Sequence, residues 1–150
     1  MRLYLVHHAD AVGPHVDARR PLSALGCSQA ERLAAAAKEK GARPAAIFHS
    51  GKLRARQTAE AFYRLCNPLA EFKMIRGLLP DDPPQYVRDL LIGETRDLML
   101  VGHMPSIRDI LRSLVPDAAA LPLHGMVALD GNDAEAWKEL WRLESTATRS

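Results

Sequence analysis

Three short apolar runs stand out along the chain. They are Leu3-Tyr4-Leu5-Val6, Ala45-Ala46-Ile47-Phe48 and Leu98-Met99-Leu100-Val101. None alternates with polar residues, so each predicts a strand buried on both faces. Between them the spacing changes to helical. Ala30, Leu33, Ala34 and Ala37 recur at i, i+3, i+4, i+7, and Ser23 suits the N-cap of a helix running to about Lys40, closed by Gly41. Thr58, Ala61, Phe62 and Leu65 form a second stripe, with Ser50 as its cap and Asn67-Pro68 as its stop. A shorter helix is predicted over Pro84 to Ile92. Ile107, Ile110, Leu111 and Leu114 mark a fourth, ended before Pro116.

Glu71 to Ile75 reads as a further strand, and Asp97 to Val101 as the next in order. Val127 to Asp130 and Ala136 to Leu143 predict a closing antiparallel hairpin, because Gly131-Asn132-Asp133 between them is a turn signal. Thr146 to Ser150 reads as a frayed tail. Strands alternating with helices predict a single α/β domain over residues 1–150, three layers deep. Its sheet is mostly parallel, with helices on both faces and the hairpin closing it.

Each of the three apolar runs ends in histidine. The first delivers His7 and His8, with Asp10 just beyond; the second delivers His49 and Ser50; the third delivers His103. Ligands in open α/β sheets bind beyond the carboxyl ends of the strands. Arg54 falls in the first turn of the second helix, where free backbone N–H groups and a planar guanidinium both suit phosphate oxygens. Two histidines and an arginine at one crevice suit phosphoryl transfer, one imidazole attacking phosphorus and the others steadying the transferring group.

Composition narrows the field without naming a substrate. A chain of 150 residues suits one domain with a sizeable core. A formal net charge of +2 gives no reason to expect nucleic acid or a membrane surface as partner. Cys27 and Cys66 make no disulfide framework and read as small buried residues in a reducing, cytoplasmic setting. The N-terminal apolar run is too short for a signal peptide, and no stretch is long enough to span a bilayer.

These motifs carry a resemblance. Leu3 to Ala11, Leu-Tyr-Leu-Val-His-His-Ala-Asp-Ala, resembles the Arg-His-Gly signature that opens the histidine phosphatase (phosphoglycerate mutase-like) superfamily. Ser50 to Thr58 resembles its Ser-x-x-x-Arg-Ala-x-Gln-Thr motif, and Val101-Gly102-His103-Met104-Pro105 the segment supplying its second histidine. Arg20-Pro21-Leu22-Ser23 followed by Gly26, together with the short length, is most similar to the SixA-type phosphohistidine phosphatases. The resemblance implies a phosphohistidine intermediate with no metal and no cofactor. It makes His8 the nucleophile, Arg54 a phosphate ligand and His103 the second catalytic histidine. Ser50 and Arg20 join the phosphate-binding segment. The implied substrate is a phosphorylated protein, such as a histidine phosphotransfer domain, or else a small phosphorylated metabolite.

The chain departs from the signature at His7, where the family has arginine, and at Ala9, where it has glycine. Gly51 stands where proline is common, which reads as a milder change. A neutral imidazole offers one donor and no charge. Three outcomes follow: His7 becomes a cation beside the phosphate, Arg19 or Arg20 supplies the charge, or activity is weak. Many larger family members use a carboxylic acid to protonate the leaving group. Asp81 and Asp82 are the nearest candidates here, though they read better as solvated loop residues. His15 reads as a loop residue and His124 as structural, opening a late strand, with an approach of His124 to the crevice as the lesser alternative. Two rivals stand beside the phosphatase. One is a metal hydrolase using His7, His8 and His103, disfavoured because adjacent residues of an extended segment point to opposite faces. The other is a disabled family member that binds phosphate or phosphohistidine without turnover.

Overall fold

The computed structural model describes residues 1–132 and 135–145. The Gly131-Asn132-Asp133 turn lies partly outside the described residues, and the tail Thr146 to Ser150 wholly so. The elements are β1 (Arg2–His7), α1 (Ala24–Glu39), β2 (Ala46–His49), α2 (Leu53–Cys66), β3 (Glu71–Met74), α3 (Gln85–Leu91), β4 (Leu98–Gly102), α4 (Ser106–Leu114), β5 (Met126–Asn132) and β6 (Glu135–Leu143). One six-stranded sheet runs β3-β2-β4-β1-β5-β6. The pairs β3·β2, β2·β4 and β4·β1 are parallel, while β1·β5 and β5·β6 are antiparallel. This is the expected three-layer α/β domain.

Strand alternation sorts the apolar runs into two cores. Leu3 and Leu5 of β1 face one way with Phe48, Leu98 and Leu100, against Val87, Leu91, Ile107 and Ile110 of α3 and α4. Tyr4 and Val6 face the other way with Ile47, Met99 and Val101, against Ala30, Leu33, Ala34, Ala59 and Phe62 of α1 and α2. Each large aliphatic side chain buried this way contributes about 1.5–3 kcal/mol. A one-residue slip of β1 would exchange the two sets, so packing on both faces fixes its register and where its carboxyl end falls.

Ser23 caps α1 as expected, its Oγ accepting from Gly26 N at 3.0 Å. Gly26 is needed for contact rather than for conformation. A Cβ there would lie 1.8 Å from the Asp10 carbonyl oxygen, so only glycine lets α1 dock on the turn after β1. Ser50 does not cap α2. The N-cap is Lys52, without a side-chain cap bond, and Ser50 instead accepts from Lys52 N at 3.2 Å from the preceding turn. The cause is Gly51, whose φ of +94° adds a turn between β2 and α2. Proline, the common residue at this motif position, cannot adopt that angle. The replacement therefore changes the backbone and is not the mild substitution that the sequence suggested. Cys66 is buried and Cys27 is exposed, so only one of the two follows expectation.

Candidate functional site

The carboxyl ends of β1 and β4 lie side by side, with His7 registered on Gly102, and this brings His8 and His103 together. Their ring centroids are 4.9 Å apart. His7 and His8 do not diverge: the chain turns after β1, and their rings lie 4.5 Å apart on the same side. His124 joins them. It precedes β5 in a turn, not in the strand, and its ring stacks on His7 at 4.9 Å with an interplanar angle of 18°. His49 points elsewhere, its ring against Phe72 and its Nδ1 accepting from Gly51 N. His15 is exposed.

Residues of the second motif tie α2 to the other segments. Thr58 Oγ1 accepts from Ala9 N at 3.0 Å and donates to Arg54 O at 2.8 Å, joining the turn bearing His8 to the helical turn bearing Arg54. Gln57 Oε1 accepts from Leu22 N at 2.7 Å, fixing the Arg20–Ser23 segment on the same helix. Gln29 of α1 accepts from Asp10 N, and Ser23 Oγ donates to Asp10 Oδ2 at 2.6 Å.

Hydrogen bonds to backbone groups decide the tautomers. A carbonyl oxygen only accepts, so His8 Nδ1, 2.7 Å from Ala9 O, must carry the proton. His8 Nε2 then has a free lone pair. His124 Nδ1 likewise donates to His8 O at 2.7 Å. His7 is the reverse case. Its Nδ1 accepts from His124 N at 2.8 Å, so the neutral ring carries its proton on Nε2. Burial lowers all three facing imidazoles: His8 to about 4, His103 to about 3 and His7 to about 2. For His103 and His7 the neighbouring imidazole of His8 adds to the effect, and Arg54 depresses all three. His7 is therefore neutral in the free protein, and the expected cation beside a phosphate would need a proton on Nδ1 as well. Protonating Nδ1 would set two donors against each other at its contact with His124.

Two of the unpartnered polar atoms belong to residues of this crevice. Arg54 Nε and His103 Nδ1 are buried without a hydrogen-bond partner. Buried polar groups left without partners are uncommon; Arg54 Nε is a donor suited to an oxyanion, and His103 Nδ1 is one when Ser50 Oγ donates to Nε2. His103 Nε2 is held by Ser50 Oγ at 2.7 Å, so Ser50 orients the second histidine rather than the helix end. Arg20 sits in the left-handed region at φ +51°, with Nε donating to Val12 O. Its charge reaches the crevice, depressing the pKa of His8, Arg54 and His103. Arg19 instead pairs with Asp17 at 3.1 Å and is largely exposed; with Lys52 and Arg54 it lines a groove beside the crevice. Asp82 is occupied in its own loop, accepting from Gly77 N and Leu79 N, and Asp81 is exposed.

One nitrogen each from His7, His8 and His124 lies within 4.8 Å of the others, a spacing that admits a metal ion. The grounds on which the sequence disfavoured joint ligation, opposite orientation of His7 and His8, do not hold. The fit is nevertheless poor for another reason. His8 and His124 offer lone pairs at Nε2, but the His7 tautomer presents N–H and cannot ligate without giving up its bond to His124 N. Two acceptors and one donor do not make a three-ligand set.

Comparison with known proteins supplies the frame for this geometry. Residues 3–77 match the family description "Histidine phosphatase superfamily (branch 1)". The chain belongs to the histidine phosphatase superfamily. No curated protein matches it closely enough to add a nearer relative. Among solved structures it is similar to the protein histidine phosphatase SixA in complex with tungstate, at 18% identity and TM-score 0.85, covering 99% of this chain and 100% of that one. It is also similar to an Agrobacterium tumefaciens protein assigned as the phosphohistidine phosphatase SixA, at 27% identity and TM-score 0.78, covering 95% and 96%. A phosphoserine phosphatase from Entamoeba histolytica aligns at 15% identity and TM-score 0.72, covering 97% and 98%.

Within this family frame, the structure brings together His7, His8, Arg54, His103 and Ser50, with Arg20 beside them. The sequence reading missed the tying role of Gln57, Thr58 and Gln29, and it favoured a structural His124 over the alternative, an approach to the crevice, that the structure shows. The Gln57-Thr58 pair was in view as part of the second motif. For His124 the only sequence signal was its place just before a strand.

Proposed function

We propose that this protein is a phosphatase that works through a phosphohistidine on His8, and that its substrate is a phosphohistidine-bearing protein. The observation that carries the reading is the His8 tautomer: the bond from Nδ1 to Ala9 O leaves the Nε2 lone pair free for attack, and burial keeps it unprotonated. His8 Nε2 bonds to phosphorus as the P–N bond of the substrate breaks. The departing ring, protonated on its other nitrogen, leaves as neutral imidazole and needs no acid from the enzyme. Water then attacks the phosphorus on His8 and releases inorganic phosphate. Arg54 and His103 Nδ1 meet the oxygens of the transferring group, and His7 Nε2–H adds one neutral donor. Arg20 takes the place of the missing signature arginine as the second fixed charge. Asp82, held by the N–H groups of Gly77 and Leu79, is engaged in its own loop, which supports a phosphoramidate over an oxygen ester, whose alkoxide would need a proton. The likeness to a SixA structure in complex with tungstate, itself an oxyanion, supports an oxyanion ligand for this chain.

Turnover of a phosphohistidine protein, a small phosphoramidate and an aryl phosphate tests the reading. His8→Ala should abolish turnover with an unchanged fold, and rapid acid quench of wild type should trap acid-labile phosphate on His8. Phosphate release by His8→Ala at the wild-type rate would assign attack to another group. Binding without turnover by the wild-type protein would favour the disabled family member.

A further inference from the structure

The peptide joining His8 to Ala9 is gripped at both ends. Its carbonyl accepts from His124 Nδ1 at 2.7 Å, and its N–H donates to Thr58 Oγ1 at 3.0 Å. The next carbonyl, Ala9 O, fixes the tautomer of His8. Any rotation of the 8–9 peptide would carry Ala9 with it and disturb the aim of the His8 ring. His124 also uses its own backbone N–H on His7 Nδ1. One residue thus donates to two consecutive histidines, once from its ring and once from its main chain. It does so at φ +54°, in the left-handed region that non-glycine residues seldom adopt. Among the described residues only Arg20, His124 and Ala136 are non-glycine residues with positive φ, and the first two flank this crevice. Backbone strain of this kind persists where the surroundings over-determine it.

The far side of the His124 ring is less engaged. Nε2 is 4.0 Å from Asp10 Oδ1, beyond hydrogen-bond reach, and Asp10 is already held by Ser23 and Gln29. From this we propose that His124 is a positioning residue for the nucleophile, acting through Nδ1 on the 8–9 peptide, while its N–H locks His7 in the Nε2–H form. The proposal rests on the phosphatase reading for its kinetic test and is independent of it for its spectroscopic one.

Three substitutions separate the ring nitrogens. Asparagine places an amide N–H near the position of Nδ1 and tolerates the left-handed region; glutamine reaches toward the position of Nε2; glycine keeps the backbone and removes the ring. On a phosphoramidate, His124→Gly and His124→Gln should lower kcat about 10- to 100-fold with KM nearly unchanged, as when a supporting shell loosens a reacting group. His124→Asn should recover most of that loss. Thermal unfolding of all three confirms that each is folded before rates are compared. Full activity in His124→Gly overturns the proposal, as does rescue by glutamine and not by asparagine, which would put Nε2 on the substrate. Long-range ¹⁵N–¹H spectra give the second reading. His8 should show a single Nδ1–H tautomer in wild type and His124→Asn, and a mixture in His124→Gly. A single tautomer in all variants overturns the proposal even if wild type turns over nothing, an outcome that would separately remove the phosphatase reading.

Discussion

The two walls of the crevice are built on opposite principles. On the wall of α2 and the segment after β4, Arg54 Nε and His103 Nδ1 are buried and unpartnered, so polar capacity is held open. On the wall of β1 and the turn before β5, His7, His8 and His124 spend their Nδ1 atoms on backbone groups and on each other's segments. The first wall keeps donor capacity free, while the second is already set. In the proposed phosphatase this difference would let the chain do without an arginine at position 7: charge would come from the open wall and from Arg20, and the closed wall would add alignment and a single neutral donor. A guanidinium at position 7 would have to displace the stacked, buried pair of His7 and His124.

The comparison breaks most sharply at Arg54. Arg54→Ala should lower kcat/KM by about 10³-fold, and Arg54→Lys should recover little, because one ammonium cannot replace a planar fork on a phosphoryl group. Steady-state rates on one phosphoramidate check this, and a loss below about tenfold would show that the open wall is not where the charge is supplied.

Thr58→Val cuts the tie between the walls and leaves Ala9 N buried without an acceptor. It should cost about 1–3 kcal/mol in denaturant unfolding and lower kcat without much change in KM. An unaltered stability would mean that the walls are held together elsewhere.

His7 separates alignment from donation. His7→Asn keeps an acceptor near Nδ1 but loses the Nε2 donor, whereas His7→Gln reaches the donor position. Glutamine should be the better of the two by about one hydrogen bond, roughly 5- to 10-fold in kcat/KM. No alkaline limb in kcat/KM should arise from His7, because the ring is already neutral there, and the acid limb should follow His8, falling toward pH 4.

The smallest effect per unit of change is the pH dependence of folding. His7 and His103 are 4% and 2% exposed and neutral in the folded state well below the unfolded value of about 6.5. Above that value neither state takes up a proton at these rings. As pH falls below it, the unfolded chain binds protons that the fold refuses, so stability is lost on acidification toward about pH 3. The slope is at most about 1.4 kcal/mol per pH unit for each ring. Replacing His7 by Asn should remove one share of it, measured by urea unfolding from pH 7 to 4.5.

The fold was legible because the apolar runs and helical stripes are uninterrupted, and each strand end falls where the run stops. His8, Arg54 and His103 were legible because each follows such a run or opens the helix after it. What stayed hidden depends on contacts between distant segments. The neutral, Nε2–H form of His7 in the free protein was hidden because its bond to His124 N spans 117 residues of sequence. Ser50 was misread as a helix cap because the turn at Gly51 is a matter of one backbone angle. The apparent divergence of His7 and His8 assumed that the strand continued through both, and β1 ends at His7.

The sheet order has a consequence for how the protein comes to exist. β1, made first, lies in the sheet between β4 and β5, and its partners Leu98 to Gly102 and Met126 to Asp130 are synthesised long after it. Contacts so distant along the chain are slow to form, because the loop must close before they contribute. On the ribosome β1 stays without a neighbour until β4 emerges, and its two histidines lack their brace until His124 does. A nascent chain stopped before that turn should be open to proteolysis within β1, and the braced arrangement of His7, His8 and His124 should arrive late and in one step.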